Sequence, residues 1–539
     1  MIRKLVVKGF RKLRNFYWEP QDGINTVVGD NGAGKSTILD AIELVLSCRL
    51  RGRSARNELS PYWFNNDMVE GFYDSLSLDD ASSVAPPEIL IEAYLGESLF
   101  GDLQGVNNSL GEDSPGLQLH ICPDEALRSE LLYICAHDTH DLHSLPVEYY
   151  KIEWHTFKGA SILKTPRGVS CARIDSLPRT SLRSIDSYAR SAIDESLNED
   201  QVRRVSNKYR SFRHDIDDLI LSEMKNNVQR PAQLNDMGFR MDESPRSDWR
   251  NSVVIDFDHV PLPFAGKGNE IKARAHIAME RNADKGVLLV EEPECHLSHT
   301  SLFELTDLLE HELNQRQMFV STHSPFVLNR LGLDKLALVS DGNCPARISG
   351  LSPDTVQFFQ RLSGYDTLRI VLAKKLVLVE GPTDEMVFKW AYYKRFRQYP
   401  ESDGIDVMEY GTRGKRALEL CCALGRGRVA VLRDNDGLPA SKWIGDASEF
   451  IKEGERKMFV GEPGEGKTIE PQFVKANLEH LQELGTIVGA QSYEEDTLTK
   501  YMENNKTLWS LRLLSTGVSS TLLCPRYIKE AIDFIVDAE

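Results

Sequence analysis

A glycine-rich stretch followed by lysine, serine and threonine, GDNGAGKST at residues 29–37, has the composition of a phosphate-binding loop. It satisfies the pattern G-x-x-x-x-G-K-[ST] between an apolar run and a helical periodicity, which is the context that the pattern requires. The glycines let successive backbone N–H groups curl around phosphates at a helix N-terminus. We expect the Lys35 ammonium to meet the β- and γ-phosphates of ATP and the Ser36 hydroxyl to ligate Mg²⁺. The residues predicted to bind the nucleotide are Gly29, Asn31, Gly32, Ala33, Gly34, Lys35, Ser36 and Thr37.

Two acidic side chains at the end of another apolar run could serve the same nucleotide. Residues 287–290 are apolar and lead directly into Glu291 and Glu292. The first carboxylate is predicted to hold Mg²⁺, commonly through water, and the second to polarise the attacking water. His323 ends the next apolar segment, MFVSTHS, where it could contact the γ-phosphate. A histidine at a strand end is more often only hydrogen-bonded, but its place after the Glu-Glu strand favours the catalytic role.

A second acidic group lies nearer the C-terminus. Glu380 follows the apolar run KLVLV, and Asp384 comes four residues later on a helical segment. Asp434 and Asp436 follow another apolar run, and side chains at i and i+2 of an extended segment point to one face. Hard oxygen ligands without His or Cys suit Mg²⁺ or Mn²⁺. A helix cap could explain any one of these acids, whereas four in this order favour a metal site.

The elements that must position both groups alternate between strand and helix patterns. The first 30 residues alternate like strands, helical spacing begins at Ser36, and strand and helix patterns return after residue 250. Residues 176–250 differ, because they are charged and helical without a strand signal. This segment could pack against a second copy of itself or form a solvated bundle without a partner. A fresh βαβ pattern beginning near residue 365 indicates a second α/β unit.

Length and composition exclude several classes of protein. The 539 residues predict two to four domains with sizeable cores. Lys+Arg 64 against Asp+Glu 81 gives a net charge of −17, which argues against a polycationic nucleic-acid coat but allows action on nucleic acid through metal ions. Nine cysteines without a C-x-x-C pair argue against a disulfide framework and a four-cysteine zinc site. The N-terminus predicts no signal peptide, and no apolar run has the length of a membrane span, so we expect a cytoplasmic protein without a membrane partner.

The first set of motifs resembles an ABC-type ATPase of the RecF/SMC/OLD group. The resemblance rests on the phosphate-binding loop, the Glu-Glu-Pro-Glu sequence at 291–294 and the Thr-His-Ser sequence at 322–324. In that group two ATPase heads commonly pair, and a signature loop from one head caps the ATP of the other. At the expected place this chain has Gly266, Lys267, Gly268 and Asn269, which keep the glycines but lack the usual serine.

The second acidic group resembles a Toprim domain, in which Glu-Gly is followed by Asp-x-Asp-Gly within an α/β unit. A Toprim domain after an ABC-type head resembles the OLD-family endonucleases, including the ATPase-nuclease subunit of the Gabija anti-phage system. By this resemblance Glu470, in KTIEPQF, adds a metal ligand, and Lys506, in NKTLWSLRLL, places a cation near the scissile phosphate. An ordinary exposed acid at 470 and a solvated surface lysine at 506 are the alternatives.

The resemblance implies an α/β fold in which an ABC-type ATPase head with a helical insertion precedes a Toprim (Rossmann-like) α/β domain. The head is expected to be formed by residues 1–175 and 251–365, interrupted by a helical, dimerising insertion at 176–250. The Toprim nuclease domain is expected at 366–539.

The predicted function is an ATP-regulated, divalent-metal-dependent DNA endonuclease, with ATP and Mg²⁺ as cofactors and Mn²⁺ as an alternative at the nuclease site. The resemblance implies anti-phage defence and a homodimer or larger homo-oligomer. It also raises a helicase of the UvrD type, or another defence-system subunit, as a partner. An RNA- or tRNA-directed nuclease and a non-catalytic SMC/RecF-like DNA-binding ATPase remain the alternatives.

A second match to the phosphate-loop pattern, GEPGEGKT at residues 461–468, has a different context. It follows a charged stretch, no second acidic strand follows it, and Pro471 is expected to interrupt any immediate helix. We therefore predict a flexible loop beside the acidic group and not a second nucleotide site.

Overall fold

The chain forms two compact units in a computed structural model. The described residues are 1–51, 53–78, 84–96, 101–137, 144–166, 168–175, 197–216, 218–219, 249, 253, 256–257, 259–261, 264, 266, 268–269, 271–273, 286–295, 297–311, 316–340, 342, 345–348, 350–361, 367–411, 414–425 and 427–536. The first unit comprises Met1–His323 and Val339–Pro345, and the second comprises Ser324–Leu338 and Ala346–Glu539.

In its described part, the first unit has more strands than helices. Its described strands are β1 Ile2–Phe10, β2 Leu13–Trp18, β3 Ile24–Val28, β4 Arg49–Leu50, β5 Arg53–Ser54, β6 Ile89–Leu95, β7 Gln104–Gly105, β8 Ser114–Pro123, β9 Tyr150–Thr156, β10 Cys171–Asp175, β11 Asp256–Phe257, β12 Val260–Pro261, β13 Val287–Glu291 and β14 Gln317–Ser321. Its described helices are α1 Lys35–Ser47, α2 Ala55–Glu58, α3 Asn66–Leu78, α4 Arg128–Ala136, α5 Glu199–Ile216 and α6 His299–His311.

Two sheets of the first unit enclose helix α1. Strands β2, β1, β6 and β8 form an antiparallel sheet in that order, and both β7 and β9 pair with β8. Strands β10, β13, β14 and β3 are parallel neighbours in that order, and β3, β13 and β14 are buried along their whole length. Such continuous apolar burial is typical of parallel strands that are covered on both faces. Helix α1 packs against strands of both sheets, and the indole N–H of Trp154 on β9 donates to the carbonyl of Val45 near its end at 2.8 Å. The helix that begins at Lys35 is therefore held rigidly.

The second unit contains a four-stranded parallel sheet covered by helices, and two further short strands. Its strands are β15 Leu336–Leu338, β16 Ala346–Arg347, β17 Lys375–Val379, β18 Ile405–Glu409, β19 Arg428–Arg433 and β20 Arg456–Val460. Its described helices are α7 Pro325–Leu331, α8 Pro353–Arg361, α9 Thr367–Leu372, α10 Pro382–Phe396, α11 Gly414–Ala423, α12 Ala440–Asp446, α13 Ile469–Ala476, α14 Leu481–Val488, α15 Glu495–Asn504, α16 Lys506–Thr516 and α17 Arg526–Val536.

Four of these strands pair in the order β18, β17, β19, β20, and every pair is parallel. Helix α17 packs on β19 and β20, and α10 packs against α16. The core between the helices contains three fully buried rings, Trp390, Phe473 and Trp509. The ring centroids of Trp390 and Phe473 are 5.5 Å apart, and those of Phe473 and Trp509 are 5.4 Å apart. This core fixes the start of α16, where Lys506 lies.

The division between the units differs from the boundary at 365/366 that the sequence analysis placed. Helix α7 packs against both α8 and α9 within the second unit. The hydroxyl of Thr367 donates to the side chain of Asn329, and Glu419 accepts hydrogen bonds from the backbone of Ser352 and the hydroxyl of Thr355. Segments that the sequence pattern assigned to the end of the first domain therefore pack with the second.

The predicted helical insertion is described only in part. Within residues 176–250, the described pieces are 197–216, 218–219 and 249, and helix α5 runs through the first of them. The dimerising role of the insertion stays a prediction. In the predicted signature loop, Gly266, Gly268 and Asn269 are described, whereas Lys267 lies outside the described residues. No helix in the described part of the chain is both long and apolar enough to cross a membrane.

We predict that Trp509→Ala lowers the free energy of unfolding by about 3–5 kcal/mol, because it leaves a cavity among fully buried rings. Urea denaturation followed by far-UV circular dichroism measures the change. Leu511→Ala, which alters a half-exposed residue of the same helix, is the matched control and should shift the free energy by less than about 0.5 kcal/mol. Equal shifts for the two variants would contradict the placement of this core.

Candidate nucleotide and metal sites

The phosphate-binding loop joins the buried strand β3 to helix α1, as predicted. Gly32 has a φ of 76° and Gly34 a φ of 108°, values that favour glycine, and Gly34 caps the helix. At Gly29 an added Cβ would lie 2.3 Å from the carbonyl oxygen of Val339, so the close approach of the backbone there requires glycine. The loop conformation thus follows from three glycines at fixed positions.

Lys35 folds back over this loop. Its Nζ donates to the carbonyls of Gly29 and Asp30, each at 2.9 Å. Burial lowers the pKa of this ammonium, and the nearby carboxylates of Glu292, Asp30 and Glu294 act in the opposite direction. The ammonium is therefore held close to the loop and to the predicted catalytic acid.

An open pocket of about 690 Å³ brings the predicted nucleotide residues together. Glu292 and His323 line it beside Lys35 and Ser36, although they come from different parts of the chain. The full lining is Arg11, Lys12, Asn31, Gly32, Gly34, Lys35, Ser36, Thr37, Tyr62, Phe64, Asn65, Asn66, Asp67, Glu292 and His323. Glu292 has a φ of 44°, and its backbone N–H donates to the carbonyl of Ser321 on the neighbouring strand at 2.9 Å. The geometry of the strand end directs this acid towards the loop.

Glu294 is a positioning residue that the sequence analysis did not assign. One carboxylate oxygen accepts a hydrogen bond from the hydroxyl of Thr322 at 2.9 Å, and the other accepts one from the backbone N–H of His323 at 2.6 Å. The third acid of the Glu-Glu-Pro-Glu sequence therefore fixes the segment that carries the histidine. Its spacing after Glu292 was the only signal in the sequence.

Glu291, the predicted Mg²⁺ ligand, has a different environment. Its buried carboxylate pairs with the guanidinium of Arg173 on β10, and Arg51 approaches it at 3.7 Å. Arg173 also contacts Asp40 at 2.6 Å and Glu43 at 3.0 Å, both on α1. We call Arg173, Asp40, Glu43 and Glu291 the arginine cluster. It ties the helix that begins at Lys35 to the strand that leads into Glu292, while the role of Glu291 towards Mg²⁺ stays a prediction.

In the second unit, the predicted acids lie at the carboxyl edge of the parallel sheet. Glu380 follows β17, and Asp384 lies in the first turn of α10. Asp434 and Asp436 follow β19, which is the direct neighbour of β17. Parallel neighbours end at the same edge, so the four side chains face one region. Asp434 is buried, whereas Asp436 is about half exposed.

Electrostatics confirm that these acids are close to one another. Burial raises the pKa of Asp434 to about 9, and the charges of Asp384, Glu380 and Glu470 add to the effect. Burial likewise raises the pKa of Glu380 to about 7 against the opposing influence of Arg433, and that of Asp384 to about 7 with Glu470 adding to the effect. Carboxyl groups that disfavour their own charged form in this way are a sign of a functional site.

Glu470 and Lys506 join the same group. Glu470 is fully buried, which contradicts the alternative of an ordinary exposed acid, and the hydroxyl of Thr468 donates to its Oε2 at 2.7 Å. Lys506 lies at the start of α16 with its Nζ 3.9 Å from Glu470 Oε1, and its side chain is more than half exposed. The lysine is therefore placed between the buried acids and solvent.

The residues fit a divalent metal. Among the described residues, Asp434 Oδ1 and Glu470 Oε1 are buried without a hydrogen-bond partner, which is costly unless a cation compensates them. The donors are carboxylate oxygens only, the kind that Mg²⁺ and Mn²⁺ prefer. Glu380, Asp384, Asp434, Asp436 and Glu470 are the residues that could hold such ions.

Arg433, the last residue of β19, was missed by the sequence analysis. Its guanidinium lies 3.5 Å from Glu380 and 3.5 Å from Asp436, and it stacks 3.7 Å from the ring centroid of Trp443. The largely buried guanidinium thus bridges two predicted ligands. Its position directly before Asp434 was the feature of the sequence that could have indicated this role.

The second phosphate-loop match packs beside these acids, but the expectation about Pro471 was wrong. Helix α13 begins at Ile469, and Pro471 is accommodated in its first turn, where no intrahelical N–H is needed. The carbonyl of Gly466 accepts from the Asn435 side chain at 2.6 Å, and the carbonyl of Lys467 accepts from the backbone N–H of Asp436 at 3.1 Å. The loop therefore holds the Asp-Asn-Asp segment in place.

Two protein families match parts of the chain. Residues 4–77 match an AAA domain, and residues 371–436 match the Toprim domain of proteins similar to the overcoming lysogenization defect (OLD) protein. These ranges contain the phosphate-binding loop and the acids from Glu380 to Asp436. They confirm the predicted α/β fold class, an ATPase domain followed by a Toprim domain, and they support ATPase and phosphodiester hydrolase activity.

Curated relatives match a short segment only. The DNA replication and repair protein RecF of Shewanella piezotolerans is 34% identical over 85 residues, which cover 15% of this chain and 22% of RecF. RecF of Teredinibacter turnerae is 38% identical over 66 residues, covering 12% of this chain and 16% of RecF. The chain thus matches about a fifth or less of the length of these relatives.

The solved structures that the chain matches have low overall similarity to it. An SMC head bound to the C-terminal winged-helix domain of ScpA has 14% identity and a TM-score of 0.33, covering 64% of this chain and 97% of that one. RecF bound to ATP has 13% identity and a TM-score of 0.31, covering 65% and 97%.

We predict that Lys35→Ala abolishes ATP hydrolysis, because it removes the cation beside the phosphates. Glu292→Gln should still bind ATP but hydrolyse it roughly 10²-fold or more slowly. Phosphate release and binding of a fluorescent ATP analogue measure the two properties. Lys158→Ala, an exposed lysine of the same unit, is the control. Hydrolysis at the wild-type rate by Glu292→Gln would remove the catalytic assignment.

We predict that Asp434→Asn stabilises the metal-free protein relative to wild type at pH 9 more than at pH 6. A raised pKa means that the folded state binds the proton more tightly, so the cost of the buried acid grows as the pH rises towards about 9. The same substitution should abolish most of the increase in melting temperature that Mn²⁺ gives the wild type. Differential scanning fluorimetry at both pH values measures the effects, with the exposed Asp446→Asn as control. An undiminished Mn²⁺ effect in Asp434→Asn would contradict the metal site.

Proposed function

We propose that this OLD-family ATPase-Toprim protein is an ATP-regulated endonuclease that hydrolyses phosphodiester bonds of DNA with divalent metal ions. One observation carries the proposal. Five carboxylates converge at one edge of the second unit's sheet, and two of them, Asp434 and Glu470, have a buried oxygen without a hydrogen-bond partner within the described chain. Buried acids of this kind cost stability, and metal binding is the use that compensates the cost.

The ions would be held by Glu380, Asp384, Asp434, Asp436 and Glu470. When bound, two such ions activate a water molecule and stabilise the leaving 3′-oxygen. Lys506 lies on the solvent side of Glu470, where its ammonium can neutralise charge on the phosphoryl oxygens of a bound strand. Arg433 orients Glu380 and Asp436. Asn435, the residue between the two aspartates, holds this segment in place through its hydrogen bond to the Gly466 carbonyl.

ATP would bind in the pocket of the first unit. Lys35 meets the β- and γ-phosphates, Ser36 contributes a ligand to Mg²⁺, and Glu292 polarises the attacking water. Glu294 holds the Thr322–His323 segment against the same pocket, so the histidine can respond to the γ-phosphate. Regulation of cutting by ATP is supported by the presence of both sites in one chain.

DNA is the proposed substrate, because the OLD-family endonucleases that the motifs resemble act on DNA. The same resemblance supports a role in anti-phage defence, a homodimer formed through the ATPase heads, and a partner such as a helicase. A non-catalytic DNA-binding ATPase is disfavoured, because a vestigial site would have no reason to retain Asp434 and Glu470 with buried oxygens that lack a hydrogen-bond donor.

The test separates the two sites. Asp434→Ala and Asp436→Ala should each lower plasmid cleavage in Mn²⁺ by about 10²-fold or more, because a misplaced ion disrupts in-line attack, while phosphate release from ATP stays within about twofold of wild type. Asp446→Ala is the matched control in the same unit. If both variants cut plasmid like wild type, the nuclease site is not where we place it.

The substrate class has its own measurement. Wild type is incubated with plasmid, linear duplex, single-stranded DNA and RNA, with Mg²⁺ or Mn²⁺ and with or without ATP. Cleavage of DNA that depends on Asp434 supports the proposal. Cleavage confined to RNA, with the same dependence, would keep the metal site but replace the substrate.

A further inference from the structure

One face of the antiparallel sheet in the first unit carries a histidine, a cysteine and a glutamate side by side. His120 and Cys122 are two residues apart on β8, so their side chains point to the same face. Glu153 on β9 is the direct cross-strand partner of His120. The register of the two strands therefore fixes all three groups, independently of the nucleotide pocket.

The distances suit a shared ion. One candidate ligand atom from each of His120, Cys122 and Glu153 lies within 4.8 Å of the other two. Bonds of about 2.0–2.3 Å to a tetrahedral ion bring ligand atoms to roughly 3.3–3.8 Å from each other, so side-chain adjustments of about 1 Å close the site. Cys122 is buried, and His120 is partly exposed at its tip.

The histidine is already oriented for such a role. Its Nε2 lies 2.7 Å from the carboxylate of Glu88, so Nδ1 is the ring nitrogen left for a metal. A ligating histidine whose other ring nitrogen donates to a carboxylate is a recurrent arrangement, because the carboxylate fixes the ring and increases its basicity. Glu88 is thus a positioning residue for the site.

Two further features bear on occupancy. Lys151 contacts Glu153 Oε1 at 2.8 Å and competes for this carboxylate, but both side chains are more than a third exposed and the second oxygen remains available. A pocket of about 790 Å³ reaches Glu88 and His120 from solvent, with Lys8 and Arg14 also in its lining.

We propose that His120, Cys122 and Glu153 bind a divalent transition metal of the zinc class, with water as the fourth ligand and Glu88 orienting the histidine. Nitrogen, sulfur and oxygen donors together select such an ion over Mg²⁺, whereas the acids of the second unit offer oxygen alone. The ion cross-links β8 and β9 and so reinforces the sheet that packs on α1.

The experiment uses the full-length chain, stripped of metal, and Co²⁺ as the probe. Co²⁺ bound to a thiolate gives a near-ultraviolet charge-transfer absorption, which oxygen-only sites do not produce. We expect the intensity of this absorption to reach a plateau that corresponds to one thiolate-bound Co²⁺ per chain, even where the acids of the second unit take up further Co²⁺, and to disappear when Zn²⁺ is added. Absence of the band in wild type would overturn the proposal.

Variants assign the ligands. Cys122→Ser should abolish the band, whereas Cys48→Ser, a half-buried cysteine elsewhere in the same unit, should retain it. Persistence of the band in Cys122→Ser would overturn the assignment. Glu153→Gln, on the more exposed strand position, should weaken Co²⁺ binding by at least about 10-fold without loss of the circular-dichroism spectrum. The Glu153→Gln variant also provides a test if Cys122→Ser does not fold, because an unchanged affinity for Co²⁺ in Glu153→Gln would exclude the three-residue site.

Discussion

Both candidate sites bury carboxylates, and a buried carboxylate must find a compensating positive charge or take up a proton. The first unit meets this requirement within the protein. Arg173 contacts Asp40, Glu43 and Glu291 at once. Arg11 contacts Asp40 at 2.5 Å, and Arg51 lies 3.7 Å from both Asp40 and Glu291. The second unit leaves it unmet. Arg433 lies 3.5 Å from Glu380 and Lys506 lies 3.9 Å from Glu470, yet burial still raises the pKa of Asp434 to about 9. The first arrangement is a structural ion-pair cluster, whereas the second favours the binding of a cation from solution.

The arginine cluster explains how the nucleotide pocket is held together. Helix α1 carries Asp40 and Glu43, strand β13 ends in Glu291, and Arg173 on β10 joins them. Removing one partner of a buried ion pair usually costs about 3–5 kcal/mol, because the other charges remain without compensation. The distance between the Lys35 end of the helix and Glu292 therefore depends on Arg173, although this residue is far from both along the chain. A change at Arg173 would alter the pocket without altering any of its lining.

The parts of the fold that the sequence predicted are those determined locally. The glycine spacing of the phosphate loop, the acids at strand ends and the second α/β unit each depend on a few consecutive residues, and all are found in the structure. The remaining features depend on tertiary packing. The pairing of Arg173 with Glu291, the burial of Glu470 and the grouping of α7 with α8 and α9 join residues that are distant along the chain. The expectation that Pro471 interrupts a helix was wrong because a proline is compatible with the first turn of a helix. Only the structure shows that α13 begins at Ile469.

The register between β10 and β13 has a consequence for how such a chain can diverge. These parallel neighbours pair from Cys171 with Val287 to Asp175 with Glu291, although a long stretch of sequence separates them. Their hydrogen bonds, reinforced by the arginine cluster, fix both ends of that stretch on one rigid sheet. The entropic cost of joining two fixed points grows only slowly with the length of the connection. The length of this connection could therefore change at little entropic cost while the strand end that carries Glu291 and Glu292 keeps its geometry.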